Sequence, residues 1–166
     1  MTNVEAKFPL RDLDRARSSA AAIGFRYIGT LLQHDTFFVV AGGKLKLRQQ
    51  PDGAWLIHYD RHHDQGLELS DYEIVAVSEP RRLLALLSAA LGVLSEIRKR
   101  RVLLQRANIR LHLDEIEQLG AFGELEGVLE EGEDPANSHR EIAEILAALQ
   151  ITPEQLINVS YFELLH

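Results

Sequence analysis

The sequence predicts an α+β fold: an antiparallel barrel of roughly eight strands, closed on itself, with helices packed outside. Three observations predict it. Much of the 166-residue chain falls into short runs in which polar and apolar side chains alternate, the period of a strand. Most of these runs are joined by short turns rich in Gly, Pro and Asp, which make neighbouring strands antiparallel. So many strands in one sheet also leave edges, and closure removes them.

Asn3 to Phe8 alternates polar with apolar and is predicted as the first strand. From Asp12 to Ile23 the residues Leu13, Ala16, Ala20 and Ile23 recur at helical spacing, and Gly24 stands where a helix ends. Phe25 to Leu32 and His34 to Val40 are rich in aromatic and β-branched residues and predict two strands; Gly42-Gly43 then turns the chain into Lys44 to Gln49. Pro51-Asp52-Gly53 is a tight turn into Ala54 to Arg61. After a strand over Glu68 to Val77, Ser78 is placed to cap a helix with Pro80 in its first turn, which runs through Leu83, Leu84, Leu87 and Leu91 to Gly92. Glu96 to Leu104, Asn108 to Asp114 and Phe122 to Leu129 complete the strands. Pro135 to Leu149 is helical on the spacing of Ile142, Ile145, Leu146 and Leu149, and Thr152-Pro153-Glu154 starts a last short helix.

Length and composition set the bounds. Residues 1–166 fit one domain with a real core, and 46% hydrophobic with 26% charged residues excludes a disordered or collagen-like chain. Without cysteine there is no disulfide framework, thiolate metal site or cysteine nucleophile, so any metal is held by oxygen or imidazole. A formal net charge of −7 argues against a nucleic-acid binder, although basic clefts are compatible with it. The opening residues lack the basic start and apolar stretch of a signal peptide. Leu83 to Leu94 is too short and interrupted to span a membrane, so the expectation is a cytoplasmic protein with no membrane partner.

The sharpest feature is charge at every second position, which period two gathers on one face of a strand. Asn3, Glu5 and Lys7 share a face; so do Lys44, Lys46 and Arg48; so do Lys99 and Arg101; so do Asn108, Arg110, His112 and Asp114; and so do Glu124 and Glu126. Alternation usually marks the wet side of a sheet whose other side packs on the core. Here, however, basic and acidic strands are segregated, which also suits an interior that binds phosphates on Lys and Arg and a hard divalent cation on carboxylates. Other polar residues carry less. His34, His58, His62 and His63 are expected in loops, since adjacent histidines such as His62 and His63 point apart and do not share one ion. Ser18, Ser19, Ser70 and Ser160 lack the glycines of a nucleophile elbow, and Gly42-Gly43 is a turn without the G-K-[ST] of a phosphate loop. The run Glu130 to Asp134 reads as a solvated loop before a helix.

Taken in order, these segments resemble the CYTH superfamily of triphosphate tunnel enzymes. Asn3-Val4-Glu5-Ala6-Lys7 is similar to its opening E-x-E-x-K strand, Lys44-Leu45-Lys46-Leu47-Arg48 to its basic third strand, and Ile97-Arg98-Lys99-Arg100-Arg101 to its V-x-K-x-R strand. Ile109 to Asp114 followed by Leu119 to Glu126 resembles V-x-[IL]-D then L-G-x-F-x-E-[IL]-E. Val159 to Leu165 resembles the S-Y-x-x-L-L ending of the class IV adenylyl cyclase branch. The resemblance spans nearly the whole chain and implies a barrel whose charged faces point inward.

What it implies for the site is specific. Lys7, Lys46, Arg48, Lys99 and Arg101 would contact a triphosphate, with Lys7, Lys99 and Arg101 nearest the chemistry. Arg61 and Arg110 would add to substrate binding, with His112 beside Arg110. Glu5, Glu124 and Glu126 would hold Mg²⁺ or Mn²⁺, with Asp114 near. Asn3 stands where the family usually has a metal-binding glutamate; an amide oxygen brings no charge, so metal binding would be weakened or one site altered. Arg61 stands in for a usual lysine if the strand register turns it inward, and Glu68 occupies a common basic position, which would thin the triphosphate clamp. The implied activity is metal-dependent hydrolysis of inorganic triphosphate or a nucleoside triphosphate. Cyclisation of ATP to cyclic AMP and pyrophosphate is the alternative on the same scaffold, and a non-catalytic polyphosphate-binding module a third. A homodimer is compatible with the resemblance.

Overall fold

The computed structural model describes residues 2–64 and 67–165, with only the backbone described at His63 and Asp64. The strands are β1 (Thr2–Leu10), β2 (Arg26–Phe38), β3 (Lys44–Gln50), β4 (Gly53–Asp64), β5 (Leu67–Ala76), β6 (Val93–Arg106), β7 (Ile109–Ile116) and β8 (Gly120–Leu129). They close in the order β1-β5-β4-β3-β2-β6-β7-β8, every neighbour antiparallel, as the alternation and the turns predict.

The helices are α1 (Leu13–Ala22), α2 (Pro80–Leu91), α3 (Pro135–Ala148) and α4 (Tyr161–Leu165), with a 3₁₀ turn at Pro153–Gln155. Asp12 caps α1 by accepting from the Arg15 N–H at 2.9 Å, and Asp134 caps α3 by accepting from the Ala136 N–H at 2.9 Å. The expected Ser78 cap of α2 is corrected: Pro80 takes the first helical position, so the cap falls on Glu79, which makes no capping hydrogen bond. The two strands expected over Phe25 to Val40 are one, because Gln33 stays in the ladder opposite Lys99 and its polar side chain faces inward; irregularities near Tyr27 and Phe37 bend the strand without ending it. His34, His58 and His62 lie in strands, not loops, since an imidazole is tolerated at outward or edge positions of a sheet. The third member of the His62-His63-Asp64 cluster, like His63, has its side chain outside the description.

The alternation is inverted relative to an ordinary half-wet sheet. Outward residues of β1, β6, β7 and β8, such as Val4, Phe8, Leu104, Leu111 and Leu125, pack with Ile142 and Ile145 of α3 and Ala20 of α1 in the main apolar core. α1 and α3 therefore cover the apolar outside of the barrel on this side, and the charged faces are left to the inside. A second apolar cluster closes one mouth, where Phe37, Ile97, Ile116 and Phe122 meet Tyr161 and Phe162 of α4. Among the described residues no helix is long and apolar enough to cross a membrane.

Candidate active site in the barrel interior

The barrel encloses a cavity of about 320 Å³. Because β-strand side chains alternate, the register decides what enters it. Followed around the barrel, the pairing stacks inward residues in tiers. The open rim carries Leu31, Gln50, Ile74, Leu103 and Arg110; below it are two charged tiers; the closed end carries Lys7 and Arg61 beside the apolar seal. Lys7, Lys46, Arg48, Arg61, Lys99, Arg101, Arg110, His112, Glu5, Glu124 and Glu126 all line this cavity. Asp114 is on the same inward face of β7 as Arg110 and His112 but is fully buried beneath Arg101, Lys99 and Tyr161. Two residues on the predicted faces lie elsewhere: Lys44 reaches the closed mouth, where it donates to Ser160 Oγ at 3.0 Å and Glu163 Oε2 at 2.9 Å, and Asn108 lies in the exposed turn before β7.

The interior is an ion lattice of both signs. Arg101 forks onto Asp114 with Nε to Oδ1 at 2.7 Å and Nη2 to Oδ2 at 2.6 Å, while its Nη2 also donates to Glu124 Oε2 at 3.0 Å. Lys99 Nζ donates to Asp114 at 3.2 Å. Across the cavity Arg48 forks onto Asp35 at 2.7 and 2.6 Å, with Lys46 Nζ 3.0 Å from the same carboxylate. Arg61 Nη2 lies 2.8 Å from Glu5 and 3.8 Å from Glu124, and its Nε is 3.6 Å from Glu68. The inward face of Arg61 settles its register: Asp60 is the exposed neighbour. Glu126 is held by Asn3, whose amide donates to it, and by Arg110 at 3.4 Å, with His112 Nε2 3.7 Å away.

Burial decides the protonation of these groups. It pushes Glu5 up to about 7, with Glu124 and Glu126 adding to the rise and Arg61 opposing it. Burial and the neighbouring Arg48 bring Lys46 down to about 7, and burial with Arg101 brings Lys99 down to about 8. Lys7 is lowered for the same first reason. Burial raises Asp35 and Asp114, but Arg48 with Lys46, and Arg101 with Lys99, more than offset it and hold both well below the usual carboxylate range. His112 is lowered by burial and Arg101, which keeps the imidazole neutral with Nδ1 3.3 Å from Glu124.

The donors suit a hard divalent cation: Glu5 and Glu126 face each other across the β1–β8 pair, and Glu124 lies opposite Lys7 on the same pair. The buried Glu5 Oε2 makes no well-directed hydrogen bond despite Arg61 beside it, so it has coordination capacity to spare. Among the described residues, no three acidic or histidine side chains converge on one point as they stand. The Arg61 guanidinium is the present counter-charge of Glu5.

Several interior residues were not legible as such. Asp35 and Gln33 sit in an aromatic, β-branched segment that reads as core; Tyr59 and Tyr72 read as strand formers; Ser70 and Ser160, discounted as nucleophiles, line the cavity as polar neighbours. Period two from Phe37 back through Asp35 and Gln33 was the available signal.

Residues 1–161 match the CYTH domain family. A Methanocaldococcus jannaschii protein provisionally named adenylate cyclase, MJ0240, is 27% identical over 99% of this chain and 98% of its own. Among solved structures, PH1012 from Pyrococcus horikoshii superposes with a TM-score of 0.88 at 19% identity, covering 98% of both chains. HpAC1 from Hippeastrum, described as a provisional adenylyl cyclase with a dominant triphosphatase activity, superposes with a TM-score of 0.69 at 18% identity, covering 98% of this chain and 93% of its own. The matched span, the closed antiparallel barrel and its charged interior together mean that this chain belongs to the CYTH domain family.

Proposed function

We propose that the protein is a divalent-metal-dependent phosphohydrolase that binds a nucleoside triphosphate or inorganic triphosphate inside the barrel. The observation that carries the reading is the set of buried cations around one cavity, with Lys46 and Lys99 drawn down to about 7 and 8. Burial and the neighbouring Arg48 and Arg101 outweigh the one carboxylate that each ammonium meets, Asp35 for Lys46 and Asp114 for Lys99, and a polyphosphate would supply further negative charge. Arg48 and Arg101 offer guanidinium forks that match phosphate oxygens, and Lys7, Lys46 and Lys99 add point charges along the chain of phosphates. Phosphoryl transfer is catalysed largely by such positioning and charge neutralisation, without a covalent nucleophile.

Glu5, Glu124 and Glu126 would hold Mg²⁺ or Mn²⁺. The ion would neutralise phosphate oxygens and orient the attacking water. Arg61, now 2.8 Å from Glu5, would then be free to turn towards phosphate. Asn3 contributes no charge; its amide nitrogen donates to Glu126 and its oxygen accepts from the Tyr72 hydroxyl at 3.4 Å.

The rim of Leu31, Ile74 and Leu103 gives an organic group an apolar place to rest, which favours a nucleoside triphosphate over inorganic triphosphate. That rim also supports the second reading, in which the ATP 3′-hydroxyl attacks the α-phosphorus and pyrophosphate leaves. Incubation with ATP and with tripolyphosphate in Mg²⁺ or Mn²⁺, reading phosphate, pyrophosphate and cyclic AMP together, tests both. Release of phosphate is expected. Cyclic AMP with matching pyrophosphate would replace hydrolysis by cyclisation, and binding with no product would leave a non-catalytic module.

A further inference from the structure

The residues after α3 return to the barrel and touch β1 at one residue repeatedly. The Ile157 N–H donates to the Lys7 carbonyl at 2.8 Å. The Lys7 ammonium donates in turn to the Val159 carbonyl at 3.2 Å, and it stands 4.6 Å from the centroid of the Tyr161 ring. The same ring lies 5.1 Å from the Lys99 ammonium. Its hydroxyl donates to Asp114 Oδ2 at 3.2 Å, the carboxylate that also holds Lys99 and Arg101. Phe122, at 5.3 Å between centroids and tilted by 59°, fixes the ring from the side away from the cavity.

An aromatic face attracts an ammonium most where water is scarce, and Lys7, Lys99 and Tyr161 are each less than a tenth exposed. A lysine has four rotatable bonds and otherwise wanders; here two of them are held by one ring. We propose that Tyr161 is a positioning residue: with the Val159 carbonyl it holds the Lys7 and Lys99 ammoniums at the closed end of the tunnel, ready to meet the phosphates. The role rests on the triphosphate reading of the cavity. It gives the tail a second task beyond sealing the mouth, since the aromatic plug and the lysine clasp are the same side chain.

The test uses the full chain and tripolyphosphate, titrated calorimetrically in EDTA so that metal does not enter. Tyr161→Phe keeps the ring and is expected within about twofold of the parent, whereas Tyr161→Leu loses about tenfold in affinity. Because the leucine variant could fail to fold, a series of progressively fluorinated phenylalanines at position 161 is the decisive arm. Fluorine drains the ring face while leaving its shape, so affinity should fall stepwise along the series. In the ligand-free protein, the ring-current displacement of the Lys7 and Lys99 Hε resonances should persist in Tyr161→Phe. A parent that binds tripolyphosphate together with a flat fluorine series would overturn the role of Tyr161 alone. A parent that does not bind tripolyphosphate would overturn the triphosphate reading and this role with it.

Discussion

Glu5 shows how a single buried group ties the site to stability. Its folded pKa of about 7 lies above the usual 4.5, so the folded state keeps a proton that the unfolded chain has lost. The stability from that proton is fully present below pH 4.5 and drains away as pH rises through 7. Glu5→Gln carries a permanent neutral group there. In EDTA it should therefore gain in thermal midpoint relative to the parent at pH 8.5, with little gain at pH 4.5; an equal effect at both values would refute the assignment. Arg101 makes the opposite case. Its removal to Ala leaves Asp114 fully buried with Lys99 as its one remaining cation beside the Tyr161 hydroxyl, which should cost about 3–5 kcal/mol in chemical denaturation. Arg110→Ala, at the half-exposed rim, should cost ~1 kcal/mol or less. Similar losses in the two would show that the Arg101 fork is not the buried pair described above.

At the scale of elements, the strands were readable because alternation and turn chemistry act locally. The Pro51-Asp52-Gly53 hairpin follows from a few adjacent residues, whereas the start of α2 fell one residue later than the Ser78 cap implied. The direction in which a charged face points does not. Lys46 and Arg48 would alternate identically on a wet sheet; closure of the barrel, with helices covering Leu111 and Leu125 on its other side, turns the charges inward, and that is a long-range fact. The family resemblance carried it where periodicity could not. Asp35 escaped both, since one acid between aromatic residues has no pattern of its own. Packing between elements also gives a test. A methyl added at Gly123 of β8 lands in the ring of Phe8 on β1, so Gly123→Ala should destabilise by about 1–3 kcal/mol, and Phe8→Leu should recover part of the loss in the double variant. Strict additivity of the two would show that no such contact exists.

At the scale of the whole molecule, a ligand in the tunnel touches most strands of the barrel, so binding should raise its melting point as one unit. Tripolyphosphate at a hundred times its dissociation constant should add about 2.7 kcal/mol, and raised salt should weaken the shift. A shift indifferent to salt would place the anion outside the charged interior. The closing pair of strands has a further consequence. β1 takes its partners from β5 and β8, and the clasp on Lys7 comes from residues 157–161. Contacts this distant along the chain are slow to form, because loop closure must precede any reward. A chain whose residues 157–161 have not yet reached β1 therefore has a tunnel open at both ends, and the clasp on Lys7 is completed only when these distant segments have met.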